Sequence, residues 1–139
     1  MIVLDTNVLS ELMRAAPAQR VVRWVADQSA TSLYTTSITQ AEVLHGVMLL
    51  PAGKRRAAVE AAAEAMFKEV FAGRILGFGS DAAYPYARIA AQRRRAGRPI
   101  SHFDAQIAAI AHCAGALIAT RNIGDFEGCG VRVVNPWDT

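Results

Sequence analysis

Four acidic residues, Asp5, Glu42, Asp104 and Asp125, stand at the ends of short apolar stretches or in the first turns of expected helices. In an α/β sheet all four can converge on one edge. Carboxylates gathered in one cleft repel each other. At about 4 Å and an effective dielectric near 20, each like-charge pair costs on the order of 4 kcal/mol. Either some of the acids stay protonated or a divalent cation sits among them. Hard oxygen donors without clustered His or Cys favour Mg²⁺ or Mn²⁺ over Zn²⁺. Such ions are commonly used for chemistry on phosphates.

The elements that must position these acids follow from the pattern of apolar residues. Ile-Val-Leu-Asp at 2–5 reads as a buried strand. Thr6 and Asn7 can cap the helix that follows to about Arg14, which Pro17 ends. Residues 18–28 place Val21, Val22, Trp24 and Val25 on one stripe of a second helix. Leu33-Tyr-Thr-Thr36 reads as a strand, and Thr39-Gln-Ala-Glu42 as a capping box that opens the next helix. Residues 54–72 form a long helix stopped by Gly73, and residues 75–78 a third strand. Ser80 caps a helix over 81–95, and Ser101-His-Phe-Asp104 opens another that runs to Ala114. Residues 117–120 and 131–134 complete five strands, with a loop or single turn over 121–126 between them. Strands alternating with helices imply a parallel sheet with helices on both faces, and a ligand site beyond the carboxyl ends of the strands.

Each acid also has a plain structural role open to it. Asp5 could be an N-cap. Glu42 and Asp104 stand three residues after Thr39 and Ser101, where an acid supports a helix start with no chemistry involved. Thr120-Arg-Asn122-Ile-Gly-Asp125 places a hydroxyl, an amide and a carboxylate in one loop after a strand, but it could also be an ordinary turn. Thr6 and Thr120 are expected to support the acids. His45, His102 and His112 form no ligand set, and Gly77-Phe-Gly79 lacks the third glycine of a dinucleotide fingerprint.

The chain has 139 residues, 53% of them hydrophobic, which suits one folded domain over 1–139. Cys113 and Cys129 match no zinc spacing and read as reduced thiols packed like small apolar residues. No apolar run is long enough to span a membrane, and the first residues carry no basic leader, so a soluble cytoplasmic protein is expected. The net charge is +3. Five arginines, Arg88, Arg93, Arg94, Arg95 and Arg98, fall within eleven residues that contain no acid. That run is either a solvated helix face or a field that attracts phosphates, and Arg93, Arg94 and Arg95 are its candidate nucleic-acid contacts.

The ordered set Asp5-Thr-Asn-Val-Leu-Ser-Glu, Thr39-Gln-Ala-Glu42, Gly97-Arg-Pro-Ile with Asp104-Ala-Gln-Ile-Ala-Ala, Ala119-Thr-Arg-Asn-Ile-Gly-Asp-Phe and Asn135-Pro-Trp137 resembles the PIN-domain proteins. More narrowly it resembles the VapC-type ribonuclease toxins, including the FitB-like branch. The resemblance covers nearly the whole chain. It implies a three-layer α/β/α fold and a Mg²⁺- or Mn²⁺-dependent endoribonuclease held in check by a VapB-like antitoxin. Carried onto this sequence, the metal would be held by Asp5 and Asp104, with Glu42 acting through water or at a second site. Some relatives have an aspartate at the place of Asn122, whereas here the carboxylate comes at Asp125. Helix faces rich in Val, Leu and Met suggest a homodimer. The competing expectations are a catalytically inactive PIN-type binding module and a phosphoryl-transfer enzyme with a nucleophilic aspartate. No second aspartate follows two residues after Asp5, which disfavours the latter.

Overall fold

The computed structural model describes all residues, Met1–Thr139. Its centre is a five-stranded sheet in the order β3-β2-β1-β4-β5. The strands are β1 (Ile2–Leu4), β2 (Leu33–Thr36), β3 (Ile75–Leu76), β4 (Leu117–Ala119) and β5 (Val133–Val134). All four pairings are parallel. Between β1 and β2 lie α1 (Thr6–Leu12) and α2 (Gln19–Ala26). Helices α3 (Ser37–Met48) and α4 (Lys54–Ala65) lead to β3, and α5 (Ala83–Arg95) and α6 (His102–Ala114) lead to β4.

Alternation along β1 builds two separate cores. Ile2 and Leu4 point to one face, where they join Val8, Leu9, Val21, Val43, Val47, Ala63, Phe67 and Phe71 from α1 to α4 and the turn after α4. Val3 points to the other face, with Ile118 of β4, Ile89 of α5 and Ile107, Ala108 and Ala111 of α6. A strand buried on both faces has to be apolar throughout, which is why Ile-Val-Leu is unbroken. The product is a three-layer α/β/α fold, as expected. Leu4 and Leu9 are fully buried, and each contributes about 1.5–3 kcal/mol by leaving water.

Several boundaries differ from the sequence reading. The long helix over 54–72 closes as α-helix at Ala65 and continues as one π turn over Met66–Val70. Ser80 caps nothing: it lies inside a 3₁₀ turn preceded by Gly79. The strand at 131–134 shortens to Val133–Val134. Gly115 ends α6 at φ 64°, a left-handed conformation that favours glycine. Cys129 is buried as expected, but Cys113 is exposed. No helix is long and apolar enough to cross a membrane.

The strand order reverses at β1. Successive strands run outward through β2 and β3 on one side, and then through β4 and β5 on the other. A crevice opens at such a switch point, beyond the carboxyl ends of the two central strands. Asp5 follows β1 and Thr120 follows β4, so the chain reaches the crevice from both sides.

Candidate active site

The crevice is a cleft of about 620 Å³, and Asp5, Thr6, Asn7, Glu42, Asp104, Asn122 and Asp125 all line it. The four acids picked out by sequence thus share one site. None of the three histidines lines it.

Asp5 is the N-cap of α1 and also the floor of the cleft. Its Oδ1 accepts from the Thr6 N–H at 2.8 Å. Its Oδ2 accepts from the Thr120 hydroxyl at 2.9 Å and from the Asn7 amide at 3.4 Å. The capping role and the site role therefore coexist in one side chain. Burial pushes the Asp5 carboxyl above its ordinary pKa. The two hydrogen bonds from Thr6 and Thr120 oppose that shift, and the charges of Glu42 and Asp125 add to it.

Thr120 uses its whole hydrogen-bonding capacity here. Its hydroxyl donates to Asp5 and accepts from the Asn7 amide at 3.2 Å and the Asn122 N–H at 3.1 Å. Asn7 also accepts from the Arg121 N–H at 3.1 Å. It therefore ties the start of α1 to the loop after β4. Sequence reading gave Asn7 only a capping role. Its one local signal is a place beside Asp5, and its other partners, Thr120 and Arg121, lie more than a hundred residues away.

Glu42 is not at a helix start. The N-cap of α3 is Thr36, whose hydroxyl accepts from the Thr39 N–H at 3.0 Å. Thr39 is fully buried inside the helix, and Glu42 falls in the second turn. A carboxylate there cannot reach back to the N-cap N–H, so the capping box is corrected. Glu42 Oε1 accepts instead from the Thr6 hydroxyl of α1 at 2.9 Å. Burial raises its pKa, as does the charge of Asp104.

At α6 the expected start is present. Ser101 is the N-cap, its hydroxyl accepts from the Asp104 N–H at 3.1 Å, and Asp104 lies in the first turn. Burial raises the Asp104 pKa, and the charges of Asp5 and Asp125 raise it further. Arg93 acts weakly in the opposite direction.

Asp125 sits in a single 3₁₀ turn over Ile123–Phe126 that is anchored by buried Phe126. Its side chain is exposed, yet its charge is felt by both Asp5 and Asp104. Asn122, one residue before that turn, lines the same cleft.

The arginine run divides. Arg93 is buried, and its guanidinium donates to the carbonyls of Arg98 at 2.7 Å, Asp125 at 2.8 Å and Glu127 at 3.1 Å. Three carbonyls and burial tie this guanidinium down, which leaves Arg93 less suited than Arg94 and Arg95 to an RNA contact. It braces the loop that carries Asp125. Arg98 pairs with Glu127 at 2.6 Å. Arg94 and Arg95 remain on the exposed face of α5.

The donor chemistry fits a hard divalent cation. The cleft offers carboxylate, hydroxyl and amide oxygens and no sulfur or imidazole. Three of its carboxyls carry raised pKa values, so ionising them together is costly without a compensating positive charge. No three acids are drawn together into a ready-made ligand set. A cation binding here would have to bring them closer.

A parallel α/β/α sheet with carboxylates facing each other across its switch point is the framework of an acid-cleft hydrolase acting on phosphates. The chain belongs to the PIN-domain family, whose model matches residues 2–127. It is 42% identical over 138 residues to a VapC ribonuclease of Sinorhizobium fredii, covering 99% of each chain. It is 40% identical over 137 residues to the toxin FitB of Neisseria gonorrhoeae, again with 99% of each chain covered. The crystal structure of FitAcB from Neisseria gonorrhoeae superposes with a TM-score of 0.94 at 40% identity, over 100% of both chains.

Proposed function

We propose that this chain is a metal-dependent endoribonuclease and the toxin of a toxin–antitoxin pair, with residues 1–139 acting as one PIN unit. The observation that carries this reading is the single cleft lined by Asp5, Glu42, Asp104 and Asp125, three of them with raised carboxyl pKa values. The names of the full-length relatives, a VapC ribonuclease and a FitB toxin, support the choice of RNA and of a toxin's role.

Asp5 and Asp104 would hold a Mg²⁺ or Mn²⁺ ion directly, and Glu42 would act through water or at a second, weaker site. When bound, the ion would activate a water for in-line attack on the phosphodiester and offset the charge of the scissile phosphate. Thr120 and Asn7 hold Oδ2 of Asp5 in place, the Thr6 N–H holds Oδ1, and the Thr6 hydroxyl orients Glu42. Asn122 and Asp125 would position waters at the rim. Arg94 and Arg95 would attract the RNA backbone from α5.

A second groove of about 800 Å³ shares Thr6, Ser10, Arg14 and Glu42 with the cleft and continues past Val43, Val47, Leu50 and Val59. It suits a VapB-like antitoxin segment with apolar anchors and a basic side chain that reaches the acids. Exposed Leu49 and Tyr84 are apolar surface that a homodimer could cover, and cutting cellular RNA would place the chain in the cytoplasm.

The test uses purified chain freed of any inhibitor. It should cut RNA with Mg²⁺ or Mn²⁺ and stop with EDTA, and Asp125→Asn should weaken the response in a metal titration. Full activity in excess EDTA would overturn the metal-dependent reading.

A further inference from the structure

The cleft presents RNA with an electrostatic difficulty. Its lining includes five acids, Asp5, Glu11, Glu42, Asp104 and Asp125, and only two cations, Arg14 and Arg121. Arg14 is already engaged, with its Nη1 3.3 Å from Glu11 Oε1. Arg121 is exposed, lies on the cleft wall, and takes part in neither of the chain's ion pairs.

Arg121 is nevertheless held in place. Its N–H donates to Asn7 at 3.1 Å, and its carbonyl accepts from Asn135 at 3.4 Å. Its guanidinium carbon lies 5.2 Å from the centre of the Trp137 ring. Trp137 is fixed in turn: its N–H donates to Asn135 Oδ1 at 2.9 Å, its carbonyl accepts from Arg20 at 3.4 Å, and its ring packs against the core beneath α1 to α4. Such a contact sets the cation over the indole ring, and because the hydrogen bonds of Arg121 are made by its backbone, its guanidinium N–H donors stay free for the oxygens of a phosphate.

We propose that Arg121, braced over Trp137, is the RNA anchor inside the cleft, binding a backbone phosphate next to the scissile one. The anchor deepens the nuclease reading and rests on it. Arg94 and Arg95 on α5 attract the strand from outside, whereas Arg121 fixes its register against the acids. The pre-set guanidinium loses less freedom on binding than a loose arginine would.

The test measures binding of a fluorescein-labelled single-stranded RNA oligonucleotide by anisotropy across a salt series. All variants are made in an Asp104→Asn background so that the probe stays intact. Arg121→Gln should weaken binding by about 10-fold and flatten the log–log salt slope by about 0.7, the value for one lost phosphate contact on a single strand. Arg121→Lys should recover the slope but not the full affinity, because an ammonium keeps the charge and loses the fork. Trp137→Leu should weaken binding with little change in slope, since the charge remains and only its bracing is lost. In the active chain, Arg121→Gln should raise KM by a larger factor than it lowers kcat. Wild-type affinity and slope in a folded Arg121→Gln protein would overturn the anchor while leaving the nuclease reading intact. A parent protein that neither binds the oligonucleotide nor, with Asp104 restored, cuts RNA in Mg²⁺ would overturn both.

Discussion

The helices α3 and α6 each deliver an acid to the cleft, but from different depths. At α6 the acid lies in the first turn: Ser101 caps the helix and Asp104 sits three residues on, so cap and site are one local unit. At α3 the cap is Thr36 and the acid is Glu42, a further turn down, aimed by the Thr6 hydroxyl of a different helix. The stretches Thr39-Gln-Ala-Glu42 and Ser101-His-Phe-Asp104 look alike in sequence, yet only the second begins a helix. Asp104 depends on its own helix for its position. Glu42 depends on the packing of α1 against α3.

The strongest way to test this contrast is to remove each charge. Asp104→Asn and Glu42→Gln should both lower cleavage, with Asp104→Asn losing more than about 100-fold, beyond the range seen for outer-shell partners of a metal. Glu42→Gln should lose less if the residue acts through water. Single-turnover rates at saturating Mg²⁺ would decide it, and equal losses would erase the proposed distinction between the two ligands.

Next in size is the response of the metal-free protein to pH. Asp5, Glu42 and Asp104 all have raised pKa values in the fold. Below the ordinary carboxyl values of 3.8 and 4.5, folded and unfolded chains are both protonated and the full stability is present. As pH rises toward each raised value, the folded state holds protons that the unfolded state has released, so stability falls. Above the raised value the whole penalty remains. In EDTA, Asp104→Asn should therefore melt above the wild type at neutral pH, and the gap should close on acidification below about 3.8, the unshifted aspartate value. A gap independent of pH would mean that the effect is not one of charge.

The smallest effect separates the two caps. Ser101→Ala and Thr36→Ala should each cost about 1 kcal/mol of stability. Ser101→Ala should also weaken Mg²⁺ binding, because it loosens the turn that carries Asp104. Thr36→Ala should leave Mg²⁺ binding nearly unchanged, because Glu42 is aimed by Thr6. Denaturant melts and metal titrations on both variants measure the pair, and matching metal affinities would break the comparison.

Much of this was legible in the chain itself. The unbroken Ile2-Val3-Leu4 run announced a strand buried on both faces, and the alternation of strands and helices announced a parallel sheet whose site lies beyond the carboxyl ends. Asp5, Glu42, Asp104 and Asp125 could be chosen because clustered carboxylates are costly enough to imply a purpose. Pairing decided the rest. Thr36 became the cap of α3 because β2 stays paired with β3 through Thr36, so the chain can turn into a helix only after it. Arg93 looked like its neighbours Arg94 and Arg95, but the side of α5 it occupies faces the carbonyls of the Asp125 loop, and a buried guanidinium is stable only when those acceptors satisfy it. Asn7 shows the same limit: its link to Thr120 and Arg121 exists only because β1 and β4 are neighbours in the sheet. Local composition determined which residues could do chemistry and roughly where the elements lie. Contacts between distant segments determined where each side chain points, because that depends on neighbours that spacing along the chain does not encode.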